Sequence, residues 1–146
     1  MNVMQTIVVP TRKQIEELEQ YVLKLPQVEM PIVNEFCNGL YARTMFIPAG
    51  TLLTGAIHKE ENFLFVREGD IAIWTEAGMQ RIAKGAMVKS GVGAKRIGLT
   101  FEDTVLTTVH FNPTNEKDGD KLWDLFTVPS DYVLNSDEKQ FELLES

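Results

Sequence analysis

His58 and Asn62 stand on either side of the charged run Lys59-Glu60-Glu61. Both side chains can donate and accept hydrogen bonds. Lys95 and Arg96 follow the glycine-rich run SGVGA, Arg81 lies upstream, and His110 sits near the end of the last apolar run. An ammonium and guanidiniums beside an imidazole and an amide form a set suited to phosphate or carboxylate. Tyr41, Trp74, Phe63 and Phe65 supply aromatic surface on which a base or a sugar face could stack. Ordinary burial preferences make Phe63 and Phe65 plain core. His110 alternates with Leu106, Thr108 and Asn112, a stripe that becomes polar and reads as a solvent-facing strand end.

Charge is unevenly distributed. Residues 79–101 contain Arg81, Lys84, Lys89, Lys95 and Arg96 and no acid, whereas residues 111–146 contain nine acids and three bases. The net charge of −7 argues against a nucleic-acid polymer or an anionic membrane as partner. A local basic segment can still attract a small anion.

Other chemistries are poorly supported. Cys37 is the only cysteine of the 146 residues, so no internal disulfide forms and a structural thiol in a reducing, cytoplasmic setting is expected. SGVGA has no following helix to present N–H groups to a phosphate. Ser90 lacks a nucleophile-elbow motif. Glu60 and Glu61 could act as acid and base, but a charged turn is usually solvated. No apolar run reaches the ~20 residues that span a bilayer.

Positioning such residues requires rigid elements. Residues 3–9 are apolar and β-branched and predict a strand ended by Pro10. Thr11 and Gln14 have capping-box spacing, and Ile15, Leu18, Val22 and Leu25 recur with helical period over 12–25. Pro26 and Pro31 then predict an extended link. Short extended runs follow at 40–47, 51–58, 62–68, 71–76, 79–83, 86–89, 95–101 and 104–111, punctuated by Gly, Pro and Asp. That pattern indicates an all-β sandwich or barrel. Leu122, Trp123 and Phe126 predict a short helix, and Asn135 before Glu138 predicts a capped terminal helix with Phe141 and Leu144 as contacts.

The punctuation of PAGTLLTGAIHKEENFLFVREGDIAIW and RIAKGAMVKSGVGAKRIGLTFEDTVLTTVHF resembles the cupin family of jelly-roll β-barrels. Pro48, Gly50, Gly69, Gly78, Gly85 and Gly91 carry the resemblance over residues 40–111. It implies an all-β fold: a single cupin-like barrel at 39–112, an N-terminal strand and helix at 1–38, and an acidic helical extension at 113–146. The family's first motif is a glycine, His-x-His, then Glu and a further glycine; a second motif adds a third His. Counted back from Gly69, Asn62 takes the Glu position, His58 the second His and Ala56 the first, while Lys95 falls near the third His.

Of the usual metal ligands, the resemblance thus leaves His58. Alanine offers no donor, an amide oxygen is a weak one, and an ammonium has no lone pair and repels a cation. The resemblance implies a site with no metal and no cofactor. A shifted set of His58, Glu60 or Glu61 and His110 is the alternative. Strand parity would place Asn62 with Leu64 and Val66, and Lys95 with Ile97 and Leu99, although the face Phe63-Phe65-Arg67 is also partly apolar.

The leading expectation is a binding module for a small anionic ligand, a nucleotide or sugar phosphate, contacted by His58, Asn62, Lys95, Arg96, Arg81, Tyr41, Trp74 and His110. A cupin enzyme, either a metal-dependent oxygenase or a sugar isomerase with His58 as base, is the second reading. An assembly protein with a filled barrel is the third. The resemblance also implies a homo-oligomer. The chain further resembles small cupin-like proteins of tailed bacteriophages, for which sequestering a host signalling nucleotide would be a natural role.

Overall fold

The computed structural model describes residues 11–75, 78–93 and 95–128, with the backbone of 132–135 and 140–143. In chain order the elements are α1 (Arg12–Val22), β1 (Ile32–Cys37), β2 (Leu40–Ile47), β3 (Leu52–Thr54), β4 (Ile57–His58), β5 (Asn62–Glu68), β6 (Asp70–Thr75), β7 (Gly78–Ala83), β8 (Met87–Ser90), β9 (Ile97–Thr100), β10 (Thr104–Phe111), α2 (Gly119–Phe126), β11 (Thr127–Val128), β12 (Tyr132–Asn135) and β13 (Gln140–Leu143). The strand expected at 3–9 lies outside the described residues.

The capping box forms as its spacing requires. Gln14 N–H donates to Thr11 Oγ1 at 3.2 Å, and Thr11 N–H donates to Gln14 Oε1 at 2.9 Å. The helix ends at Val22, earlier than the periodicity suggests, because the chain is approaching Pro26, where the α conformation becomes unfavourable. Its buried face holds Ile15 and, unusually, Glu19.

Residues 32–37, expected as part of an extended link, instead form β1, which pairs antiparallel with β2. Asn38-Gly39 makes the turn, with Gly39 at φ +80°, the left-handed geometry that tight hairpins need. β1, β2, β10, β5 and β8 form one antiparallel sheet, and β3, β9, β6 and β7 form a second. The two sheets meet through Ile47, Leu64, Val66 and Leu106 on one side and Ile71 and Ile82 on the other. Burial of side chains of this kind contributes roughly 1.5–3 kcal/mol each. At one end β4 pairs with β11, which anchors the exit of α2 over the mouth of the barrel.

Gly69, at φ +98°, turns the chain from β5 into β6. A Cβ there would lie 2.4 Å from Thr104 Oγ1 and 2.6 Å from the Asp103 carbonyl oxygen. Gly69→Ala is expected to cost about 2–3 kcal/mol, from positive-φ strain plus the clash, as measured by urea denaturation.

Over the described residues the C-terminal helix expected from Asn135 is replaced by strands: β12 and β13 pair antiparallel. Val133 alternates with Asn135, and Phe141 with Leu143, a period-two pattern as good as the helical one. An isolated helix of ten residues is marginal in water without packing. Among the described residues no helix is long and apolar enough to cross a membrane.

Candidate functional site

The inner face of the larger sheet is organised in cross-strand rows. Phe36 pairs with Tyr41 and Tyr41 with His110, while Asn62 pairs with Ser90 on the other side. The next row runs Asn34, Arg43, Thr108, Leu64 and Val88. Beyond it the row Met45, Leu106 and Val66 is apolar. Polarity therefore rises along the barrel axis toward the end that α2 covers.

Between the sheets lies a cavity of about 340 Å³, lined on its polar side by Arg43, His58, Arg96, Thr54, Thr108 and Trp123. Met45, Leu53, Leu64, Ile71, Ile73, Ile97 and Leu106 are among its apolar walls. Alternation explains Arg43: Tyr41, Arg43 and Met45 share one side of β2, so the guanidinium must enter the interior. Its carbon lies 3.8 Å from the centroid of the Trp123 ring. The Arg96 backbone carbonyl accepts from Gly55 N–H at 3.0 Å, which ties the residue after β3 to the residue before β9. Burial lowers the pKa of both arginines, yet guanidinium stays charged at neutral pH. Among the described residues neither has a carboxylate partner within 4.0 Å.

His58 is held through its backbone, whose carbonyl accepts from Gly93 N–H at 2.8 Å. Its ring lies nearly parallel to that of His110, with centroids 5.8 Å apart. His110 in turn stacks on Phe126 at 5.1 Å and on Tyr41 at 5.7 Å. Trp123 meets His58 edge-on at 5.3 Å. Burial, then Arg96 and Arg43, lowers the His58 pKa to about 4. Burial, then His58 and Arg43, lowers that of His110 to about 4. Both imidazoles are neutral at pH 7. His110 Nε2 is hydrogen-bonded to Thr108 Oγ1 at 2.9 Å, whereas buried His58 Nδ1 has no partner among the described residues. The Asn62 amide and Ser90 hydroxyl are likewise buried without partners among the described residues.

The expected site residues separate into those the fold gathers and those it sends elsewhere. His58 and Arg96 line the cavity, and His110 and Asn62 are buried beside it in the sheet. His110, at 3% exposure, is not the solvent-facing strand end its stripe suggests, because α2 closes over it through Phe126 and Trp123. Tyr41 is wholly buried and donates its hydroxyl to Asn34 Oδ1, so it supports the site without lining the cavity. Trp74, on β6, does not line the cavity either.

Two cations need correction. Lys95, 2% exposed, forms an ion pair with Glu19 of α1. It lines a groove beneath that helix and not the cavity of His58. Arg96, one position later, is the cation that faces His58. Arg81 is exposed on β7, where it forms a two-pronged bond to Asp70 at 2.9 and 2.8 Å and covers Phe101. That bond holds the Asp70 carboxyl below its ordinary pKa. Phe63 and Phe65 leave the core, since Asn62, Leu64 and Val66 take the inner positions of β5. Sequence reading missed Arg43, although its alternation with Tyr41 was the available signal.

No protein-family model and no curated protein matches the sequence. Solved structures do. DMSP lyase DddQ from Ruegeria pomeroyi is 16% identical, with a TM-score of 0.51 over 60% of this chain and 49% of its own. KdgF from a Halomonas species is 15% identical, with a TM-score of 0.50 over 64% and 87%. A cupin-2 domain protein from Shewanella frigidimarina is 14% identical, with a TM-score of 0.47 over 75% and 99%. With the two-sheet topology, the likeness to DddQ and KdgF defines the class: this chain has the cupin fold.

The metal that this fold implies does not suit the residues present. Among the described residues lining the cavity, His58 is the one strong donor, flanked by two guanidiniums that repel a cation. Among the described residues no three of His, Cys, Asp and Glu converge. The shifted set is also disfavoured by geometry. Glu60 lies in an exposed turn, and the two imidazoles face each other at 17° between planes, with His110 Nε2 already engaged by Thr108.

Proposed function

We propose that the chain binds a small organic anion, clamped in the cavity between Arg43 and Arg96. The observation that carries this reading is a pair of part-buried guanidiniums that, among the described residues, have no carboxylate within 4.0 Å, Asp120 acting on Arg43 only from farther away. Removing a charge from water costs several kcal/mol unless an opposite charge compensates it. Guanidinium forks match phosphate and carboxylate oxygens. The cavity volume of about 340 Å³ lies at the lower end of the usual 300–1,000 Å³ range for ligand sites, which favours one sugar phosphate or mononucleotide over a larger molecule. The apolar walls and Trp123 suit the body of such a ligand. Sequestration of a nucleotide is the finer form of this reading.

Titration calorimetry with sugar phosphates, mononucleotides and inorganic phosphate, against uncharged sugars, tests it. Binding is expected only for the anions, and Arg43→Ala or Arg96→Ala should weaken it by about thirtyfold or more. No heat with any anion, or unchanged affinity in both variants, would overturn the proposal.

One observation favours catalysis as a second reading. His58, neutral at pH 7 with an unengaged Nδ1, could accept a proton once a bound anion offsets the two guanidiniums that lower its pKa, and those guanidiniums could stabilise an enolate or alkoxide. His58→Gln would then retain anion binding and abolish turnover; loss of binding alone, with no turnover in the parent protein, would leave no place for it.

A further inference from the structure

Arg43 is held without spending its donors. Alternation on β2 sends it into the interior, in the row of Asn34 and Thr108. Among the described residues no hydrogen bond engages its N–H groups and no carboxylate lies within 4.0 Å. What it meets is the ring of Trp123, whose centroid lies 3.8 Å from the guanidinium carbon. A guanidinium carries its five N–H groups in its own plane. A carboxylate partner would occupy two of them, whereas an aromatic face attracts the charge and leaves that edge free.

The ring is itself firmly placed. Leu122 and Phe126, its neighbours on α2, are buried in one cluster with Tyr41. The Thr127 hydroxyl donates to the Trp123 carbonyl at 2.7 Å. Lys59 N–H donates to the Phe126 carbonyl at 2.7 Å, which ties the last turn of α2 to the residue after β4. The indole stands nearly perpendicular to both imidazoles, at 84° to His58 and 88° to His110. Asp120, three residues earlier on α2, acts on Arg43 from farther away and raises its pKa against the effect of burial. One helix thus supplies an aromatic face and a distant counter-charge, and neither takes the edge of the guanidinium.

We infer that Trp123 is the positioning residue of Arg43: its indole face fixes the guanidinium at the cavity and leaves the N–H edge to the ligand. The inference rests on the reading that the cavity takes an organic anion. It narrows the ligand to one whose charged group presents two oxygens to a single fork, as a carboxylate or a phosphate does and a lone alkoxide does not. Without the ring, the ligand itself would have to order a long, rotamer-rich side chain, and that ordering would lower the affinity.

The full chain carrying Trp74→Phe leaves Trp123 as its one tryptophan, and Trp74 does not line the cavity. In the absence of ligand, Arg43→Ala is expected to uncover the indole face and so increase quenching of its fluorescence by acrylamide. Titration calorimetry with inorganic phosphate and a mononucleotide follows, on variants whose circular dichroism matches the parent. Trp123→Leu should weaken binding by about tenfold or more, and Trp123→Phe should stay within about threefold of the parent because a ring face remains. Once Arg43→Ala is present, Trp123→Leu should weaken binding no further. Unchanged quenching in Arg43→Ala, a Trp123→Phe variant as weak as Trp123→Leu, or an equal loss from Trp123→Leu with and without Arg43 would each overturn the inference. A parent that binds no anion would instead overturn the clamp reading, and the ligand-free quenching would still decide whether Trp123 holds Arg43.

Discussion

Glu19→Leu is expected to lower the free energy of unfolding by about 3–5 kcal/mol, and adding Lys95→Met is expected to return most of the loss. The reason lies in the position of Lys95. Its ammonium is 2% exposed and is joined to Glu19 on the inner face of α1. A long cation with nowhere to reach water tolerates burial only while the carboxylate is present. Replacing both with apolar side chains removes two desolvation costs together with their attraction, so the pair is expected to be far less damaging than the single change. Arg12 donates to the Gly93 carbonyl from the first turn of the same helix, so α1 is pinned at both ends of the segment that leads into Arg96. Urea denaturation of the parent, the two single variants and the double variant measures the coupling. A cost below about 1 kcal/mol for Glu19→Leu would mean that the ammonium had found water and that α1 is not docked as described.

The second large effect is acid destabilisation. His58 and His110 have pKa values near 4 in the folded chain, against about 6.5 when unfolded. Their folded values are depressed, so between these limits the unfolded chain binds more protons. Stability therefore rises with pH through this window. The neutral-imidazole contribution is complete above pH 6.5 and is lost as the pH falls toward 4. Each group contributes at most about 3 kcal/mol on this basis, less where charging one ring discourages the other. Asp70, the carboxylate bonded by Arg81, is lowered from an already acidic value and acts only at lower pH. Denaturation between pH 4.5 and 7.5 is expected to show a slope that His110→Phe flattens while preserving the aromatic stack. Saturating anion should shift the His58 limb upward, because a bound negative charge offsets Arg43 and Arg96. A flat profile across this range would show that the two rings are hydrated.

Alternation, turn residues and caps were legible in the sequence because they act locally. The capping box at Thr11 and Gln14 and the β-strand series between Leu40 and Phe111 follow from period and punctuation. The strand at 32–37 was obscured by Pro26 and Pro31, and only its pairing with β2 across Asn38-Gly39 revealed it. The terminal segment carried helical and extended signals at once, and only pairing between Tyr132–Asn135 and Gln140–Leu143 selected the strand.

Residue types near the site were readable, but their destinations were not. Lys95 and Arg96 are adjacent, so a change of one position in backbone phase sends one into the cavity and the other to α1. No local rule sets that phase after a glycine-rich turn. Arg43 looked like an ordinary strand cation until β2 was paired with β10, and Phe63 looked like core until Leu64 took the inner side. By itself the sequence determined that short strands would wrap an interior with few metal donors and more than one cation. Which cations enter it, and which apolar residues are left facing outward, was decided by contacts between residues far apart in the chain, where the desolvation of each charge depends on the partner that the fold supplies.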